Sequence, residues 1–341
     1  MNLKRAFLLL SIAVCTAGVV SAQTEWVDYP GNPVLGPGDP GQWDENGRAP
    51  TTVLFDGSVY HMWFQGITSS GYSEIGHATS PDGLPPWTMD PANPVLTRGA
   101  PGAWDDDNLS SAAVIYEGGE FKMWYSGWHN GYERGGYATS PDGSVWTKHP
   151  GYVLDVGVPG AWDELVVRPG TVIHEGATYK MWYNGYSSAP GNPGRIGYAE
   201  SPDGISWTKY NDNPVLDIGP PVAWDSLAVG WPSVVDDGTI YYMSHVGGMS
   251  TPSGLVAAIG IAFSYDGIHW TKYSRNPVVT SPDEYSVTSA LILEGTVFRM
   301  WYSDSDGSFV WIDSTTSTCC PPLFFDSFET GDTLWWSVTV P

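Results

Sequence analysis

The chain of 341 residues is short of cysteine, of basic residues and of long apolar runs, and each shortage removes a class of explanation. It has three cysteines: Cys15 and the adjacent pair Cys319-Cys320. Neighbouring cysteines seldom close an unstrained disulfide, and so few cannot staple a domain this large. Burial must hold the fold instead, and an aromatic content of 14% can supply it. Lys and Arg number 14 against 37 Asp and Glu. Such an acidic surface repels nucleic acid and anionic lipid, and leaves neutral sugars, cations or basic ligands as partners. The one long apolar run, residues 6–20, is too short to span a bilayer. It follows Lys4-Arg5 and ends in Val20-Ser21-Ala22, so residues 1–22 read as a cleaved secretory leader. Export to a periplasm or the cell exterior is expected, with the formal charge moving from −23 to −25.

What the chain has in excess is self-similarity. A Trp-Asp pair recurs at Trp43-Asp44, Trp104-Asp105, Trp162-Asp163 and Trp224-Asp225, in steps of 61, 58 and 62 residues. An apolar strand follows each pair, at Val53, Val114, Val172 and Val234. Then come an acid-Gly turn, a Met-Trp-aromatic strand, an Asp-Gly turn at residues 80–83, 140–143, 201–204 and 264–267, and a closing Trp. Glycine in those turns accepts positive φ at no Cβ cost. In the second copy, residues 110–116, 121–125, 136–139 and 146–149 read as strands, with 126–134 as a long connection. Repetition of this kind predicts an all-β, five-bladed β-propeller with four-stranded blades over residues 23–318. The fifth copy, from about Val287, has no final strand of its own. Trp26-Val27-Asp28-Tyr29 and Asn32-Pro33-Val34-Leu35 match Trp207-Thr208-Lys209-Tyr210 and Asn213-Pro214-Val215-Leu216. The N-terminal strand is therefore expected to complete the last blade and close the ring. Residues 319–341 form an aromatic tail, either a sorting or anchoring segment or a loose terminus.

Residues present in every copy are most simply framework: the Met-Trp-aromatic strands pack blades together, and the Asp of each Trp-Asp pair caps local structure. Function is expected where the copies differ, at the starts of the inner strands, which converge on the mouth of a central channel. There stand Glu45 and Arg48, Asp106 and Asp107, Glu164 and Arg168, Trp231, and Asp283 and Glu284. Arg48 and Arg168 occupy what read as matched positions. The arginines and carboxylates either satisfy one another in pairs or line a pocket in which one carboxyl protonates a glycosidic oxygen while another activates water. The connections after the second strands carry Tyr72, Trp128, His129, Tyr132 and Tyr186, which suit stacking on sugar faces or simple loop anchoring. His245 replaces the aromatic found at Tyr125 and Tyr183 and reads as structural. Asp105-Asp106-Asp107 are either solvated or the oxygen ligands of a structural calcium.

The Met-Trp-Tyr strand, the recurring Asn-Pro-Val-Leu, and the stretch from Gly197 to Gly204 with its following Trp-Thr-Lys resemble the five-bladed glycosidase superfamily, which includes glycoside hydrolase families 43, 32 and 130. The resemblance runs to about residue 315 and implies the same propeller and a glycan substrate. For families 43 and 32 it implies an Asp, an Asp and a Glu from the first three blades beside the inner-strand proline. This chain has Arg48-Ala49-Pro50, Ser110-Ser111-Ala112 and Val167-Arg168-Pro169 there, so none of those carboxylates carries over.

The expectation is an exported carbohydrate-active protein, a glycoside hydrolase working by carboxylate acid–base chemistry in the central funnel. Glu45 would be the base, Asp107 the modulator or second acid, and Glu164 the proton donor. Arg48, Asp106, Trp128, His129, Arg168, Trp231, Asp283 and Glu284 would bind substrate. The rival expectation is a catalytically silent propeller that holds glycans or a protein partner on the same face. Neither requires a cofactor, and a monomer with a carbohydrate partner is expected.

Overall fold

The computed structural model describes residues 26–188, 193–251, 254–280 and 288–318, which fall within one compact unit, Glu25–Cys319. The leader and the tail lie outside the described residues. Among the described residues every regular element is a β-strand. The strands form five antiparallel units in chain order. The first holds Gly47–Phe55, Tyr60–Ile67, Ser73–Ser80 and Thr88–Met89, and the second holds Asn108–Glu117, Glu120–His129, Tyr132–Ser140 and Thr147–Lys148. Val166–Glu175, Thr178–Tyr186, Arg195–Ser201 and Thr208–Lys209 make the third; Ala228–Asp236, Tyr241–Thr251, Gly254–Ser264 and Thr271–Lys272 make the fourth. The fifth comprises Ser289–Glu294, Val297–Ser305 and Val310–Thr318, with Val27–Asp28 from the start of the chain as its outer strand. The first strands pack in sequence, one to two, two to three, three to four, four to five, and five back to one.

Neighbouring units are tied by the repeated residues. The Trp of each Met-Trp strand is fully buried, and its indole N–H donates to the turn glycine of the next unit: Trp63 to Gly143 at 3.1 Å, Trp124 to Gly204 at 2.6 Å, Trp182 to Gly267 at 2.7 Å, and Trp301 to Gly83 at 3.1 Å. Those glycines have φ between +75° and +79°, and a Cβ at Gly204 would lie 2.8 Å from the Trp124 ring. Two independent demands, backbone hand and ring contact, thus select glycine.

The Asp of each Trp-Asp pair is buried and paired. Asp105, Asp163 and Asp225 bind Lys148, Lys209 and Lys272 of the outer strands at 2.5–2.7 Å. Tyr125 and Tyr183 add hydroxyl donors to the first two. In the first unit Met89 stands where those lysines stand, and Arg48 takes over both of their bonds. Its Nε lies 2.6 Å from Asp44, and Nη1 donates to the Gly36 carbonyl, just as Lys148 reaches the Thr97 carbonyl.

The second unit differs from its sequence reading in one respect. Its second and third strands run through to His129 and Tyr132, joined only by Asn130-Gly131 with φ of +52° and +80°. Asn-Gly in that conformation is the tight hairpin turn whose twist matches the strands. No long connection exists there, and Trp128, His129 and Tyr132 are strand residues.

Candidate functional site

The first strands of all five units contribute to one cavity, called the mouth below, lined by Pro50, Thr51, Ser110, Ser111, Gly170, Trp231 and Thr288 among others, and none of its described lining residues is acidic. A second cavity of about 150 Å³ shares Thr51 and Gly170 with it and runs past Thr52, Thr171 and Ser233. Hydroxyls, proline rings and one indole therefore form the described surface of the mouth.

Behind this wall, bonded to the lining Ser110, stands Glu133, at the start of the third strand of the second unit. A one-residue parallel bridge from Glu133 to Val166 joins that strand to the third unit. Its side chain is fully buried. Oε1 accepts from Ser110 Oγ at 2.6 Å and from Arg168 Nε at 2.8 Å, and Oε2 accepts from Arg168 Nη2 at 2.7 Å. Burial pushes the Glu133 carboxyl up, but the Arg168 charge and these donors outweigh it and hold the group below its ordinary range. The pair is a two-pronged arginine–carboxylate clamp across two units. Trp231 covers it, with its ring centroid 4.9 Å from the Arg168 guanidinium carbon. Its backbone sits at φ +48°, left-handed for a bulky residue, and the side chain keeps 37% of its surface exposed. Residues held in such conformations concentrate at functional sites.

Arg48 does not join this clamp, and register explains why. Arg48 lies opposite Gly66, whereas Arg168 lies opposite Asn184, so Val167 opposite Gly185 is the true counterpart of Arg48. One residue of offset turns a side chain to the other face of a strand. Arg168 therefore faces the mouth, while Arg48 turns back to Asp44.

Two of the acids expected to catalyse, Glu45 and Glu164, and the expected substrate-binding Asp106 hold turns instead. Glu45 accepts from the Gly41 N–H at 2.6 Å, Asp106 from Gly102 at 2.5 Å and Glu164 from Gly160 at 2.5 Å, the same bond in three consecutive copies. Hydrogen bonds from Ser69 and Gly41 lower the Glu45 pKa, and bonds from Gly160 and Ser187 lower that of Glu164. A carboxyl held ionised is the reverse of what proton donation by Glu164 would require. Asp107 Oδ2 accepts from the Asn130 N–H at 3.0 Å. Trp128, half-buried, lies opposite Asn108 and Glu133, and His129 Nδ1 is 2.7 Å from Asp106 Oδ1. Asp106, Asp107 and His129 bring one ligand atom each within 4.8 Å of one another, and are the set among the described residues that could take a divalent cation. Asp283 and Glu284 lie outside the described residues. The structure thus brings together Arg168 and Trp231, and groups Asp106, Asp107 and His129. It leaves Glu45, Glu164 and Arg48 in separate local bonds.

Glu133 escapes the sequence reading because that reading makes residues 126–134 one connection. The Asn130-Gly131 pair is the signal that places Glu133 on a strand beside Arg168.

Solved structures share this fold. The chain aligns with a glycoside hydrolase at 21% identity and TM-score 0.65, over 84% of this chain and 91% of that one. A glycosyl hydrolase from Bacteroides ovatus aligns at 17% identity and TM-score 0.66, over 86% and 93%. A β-1,2-mannobiose phosphorylase from Listeria innocua aligns at 16% identity and TM-score 0.64, over 86% and 96%. No protein-family profile matches the chain. Over 223 residues it is 30% identical to the uncharacterized proteins MT1551 and Rv1502 of Mycobacterium tuberculosis, covering 62% of this chain and 70% of each relative. On that identity and coverage, and with the fold of glycoside hydrolases as its scaffold, the chain belongs to the same family as these two mycobacterial proteins.

Proposed function

We propose that the five units are the blades of a propeller and that the protein is an exported glycan-binding member of the glycosidase-like fold, holding a neutral sugar chain at its mouth without hydrolysing it. The observation that carries this reading is the state of the mouth carboxylate. Glycosidic cleavage requires two carboxyls facing the bond, one able to give up a proton. Among the described residues the mouth wall has no acid, and Glu133 behind it is fully buried and committed to Arg168 and Ser110. What remains suits binding. Trp231 offers an exposed ring for a sugar face, Ser110 and Thr51 keep hydroxyl lone pairs as acceptors while their hydrogens go to Glu133 and the Trp63 carbonyl, and the acidic surface disfavours polyanionic chains. Fold likeness to enzymes acting on glycans supports the ligand class. Export rests on the leader at residues 1–22.

The test is a panel of arabinan, xylan and mannan oligosaccharides offered to the mature protein, read by calorimetry and by release of reducing ends. Binding without release is expected, and Trp231→Ala should weaken it about tenfold through loss of stacking. Release of reducing ends that Glu164→Gln abolishes would overturn the reading in favour of hydrolysis. Absence of binding across the panel would also overturn it.

A further inference from the structure

The first unit departs from its neighbours on the outer half of its second strand. In the second and third units the residue before Met is Lys122 or Lys180. Each binds the acid of the preceding turn, Glu117 or Glu175, and a tyrosine of the next unit, Tyr179 or Tyr241. The first unit has His61 in that place, Asp56 in the turn and Phe121 where the tyrosine would stand. His77 replaces the aromatic found at Tyr137 and Tyr198, and Asp90 stands at the position of His149.

These changes form a continuous chain whose two imidazoles are buried and whose Asp56 end reaches the surface. Asp56 Oδ2 lies 3.1 Å from His61 Nε2, His61 Nδ1 lies 2.9 Å from His77 Nε2, and His77 Nδ1 lies 2.9 Å from Asp90 Oδ2. The Ser144 hydroxyl, from the second unit, donates to the same Asp90 oxygen. His61 is 7% exposed and His77 3%. The Trp63 ring stacks on both imidazoles, with centroids 5.6 and 5.0 Å away, and its N–H reaches Gly143 of the second unit.

Proton counting decides the charge of this chain. Burial pushes the Asp56 carboxyl up, but donors from Val59, Ser58 and His61 hold it well below its ordinary range. Burial acts likewise on Asp90, and Ser144, His77 and the Ala92 N–H prevail. Both carboxylates are then acceptors only, so His61 Nε2 and His77 Nδ1 each carry a proton. The two remaining nitrogens face each other at hydrogen-bond distance and need one proton between them. Three bonds take three protons, and two neutral imidazoles bring only two.

We infer that His61 and His77 share this third proton as a buried monocation that ties the first unit to the second, and that a further proton, taken up in acid, breaks the tie. The charged groups facing the pair are carboxylates: Asp56 and Asp90 in contact, and Asp142 of the second unit farther off. Trp63 and Phe121 close the remaining sides. Burial lowers the His77 pKa against the pull of Asp90, so the extra proton enters only below the ordinary imidazole range. Two imidazolium N–H groups would then point at each other, and the pair titrates as a unit.

Nitrogen-15 NMR of the full mature chain labelled at histidine reads this directly. At neutral pH three of the four ring nitrogens of His61 and His77 should be protonated, with scalar coupling across the bond between them. On acidification that coupling should vanish together with the exchange protection of the Trp63 indole N–H. Two protonated nitrogens at neutral pH, or independent single-site titrations, would overturn the inference. The double variant His61→Lys, His77→Tyr installs the residues of the second unit and should keep the fold while the acid step in Trp63 exchange disappears. Persistence of that step in the variant would likewise overturn it.

Discussion

Arg48 and His245 show how one framework position is solved in different ways by neighbouring residues. Asp44 is 2% exposed, and among the described residues Arg48 is its charge partner, in the role that lysines fill in three other units. Arg48→Ala leaves that carboxylate buried and unpaired, which should cost about 3–5 kcal/mol. Adding Met89→Lys restores the arrangement of the other units, so denaturant midpoints of the double variant should recover at least half of the loss. No recovery would mean that Met89 does not stand at the lysine position. His245 is fully buried against the Trp224 ring, within reach of the Lys272 charge, with neither ring nitrogen hydrogen-bonded, where Tyr125 and Tyr183 bond their aspartates. Burial, with a smaller contribution from Lys272, pushes its pKa down to about 3. An unfolded imidazole protonates near 6.5, so between those values the unfolded chain binds more protons than the folded one. Stability from His245 is therefore intact above pH 6.5 and is lost as pH falls toward 3. His245→Tyr should raise stability at neutral pH and flatten that acid limb, as measured by urea midpoints from pH 7 to pH 4. An acid limb as steep as that of the unaltered protein would refute the assignment.

At the scale of strands and turns, the positive-φ glycines fall into two kinds that sequence alone does not separate. Gly118 has φ +63° and open space where a Cβ would go, whereas Gly204, at φ +76°, would drive a Cβ to 2.8 Å from buried Trp124. Gly118→Ala should cost about 1 kcal/mol from backbone hand alone. Gly204→Ala adds a clash against a packed indole and should cost roughly 3 kcal/mol or more. Equal midpoints for the two variants in chemical denaturation would show that the Trp contact carries no weight. Turn positions and strand order were legible because Asp-Gly and Met-Trp recur at fixed offsets, and each offset is a local rule. The mouth was less legible because its make-up depends on strand register. Arg48 and Arg168 look like matched inner-strand starts, yet one stands five residues and the other six after its Trp, and that single residue of offset sends one into the framework and the other to Glu133. Glu45, Asp106 and Glu164 look like site residues because they differ in type, yet all three close the same turn on a glycine N–H. Side-chain direction, rather than residue type, separated Glu133 from them.

The molecule as a whole meets itself where its first residues join its fifth unit. The other units take their outer strand from the same stretch of chain, so each can fold as a continuous segment. The fifth borrows residues about 280 positions away, and loop closure of that length carries an entropic cost. What offsets it is visible at the seam. Val34 and Leu35 exchange backbone bonds with Ile312 at 2.8–3.2 Å, and the Asn32 side chain bridges both backbone groups of Ser314. Val34 and Ile312 are buried in one apolar cluster with Trp301. Trp26 stacks on Phe298 at 6.3 Å. Burying aliphatic and aromatic side chains of this size contributes about 1.5–3 kcal/mol each. A chain starting at Gly36 instead of Gln23 should therefore unfold roughly 10 °C lower, since about 1 kcal/mol moves the midpoint by 2–4 °C at this size. It should also associate, because residues 310–318 would present an unpaired edge. A peptide spanning residues 23–36, added in excess, should restore the midpoint in proportion to its concentration. An unchanged midpoint in the shortened chain would show that the N-terminal strand is ornamental, and restoration by a peptide with Val34→Asp would show that the apolar cluster is not what seats it.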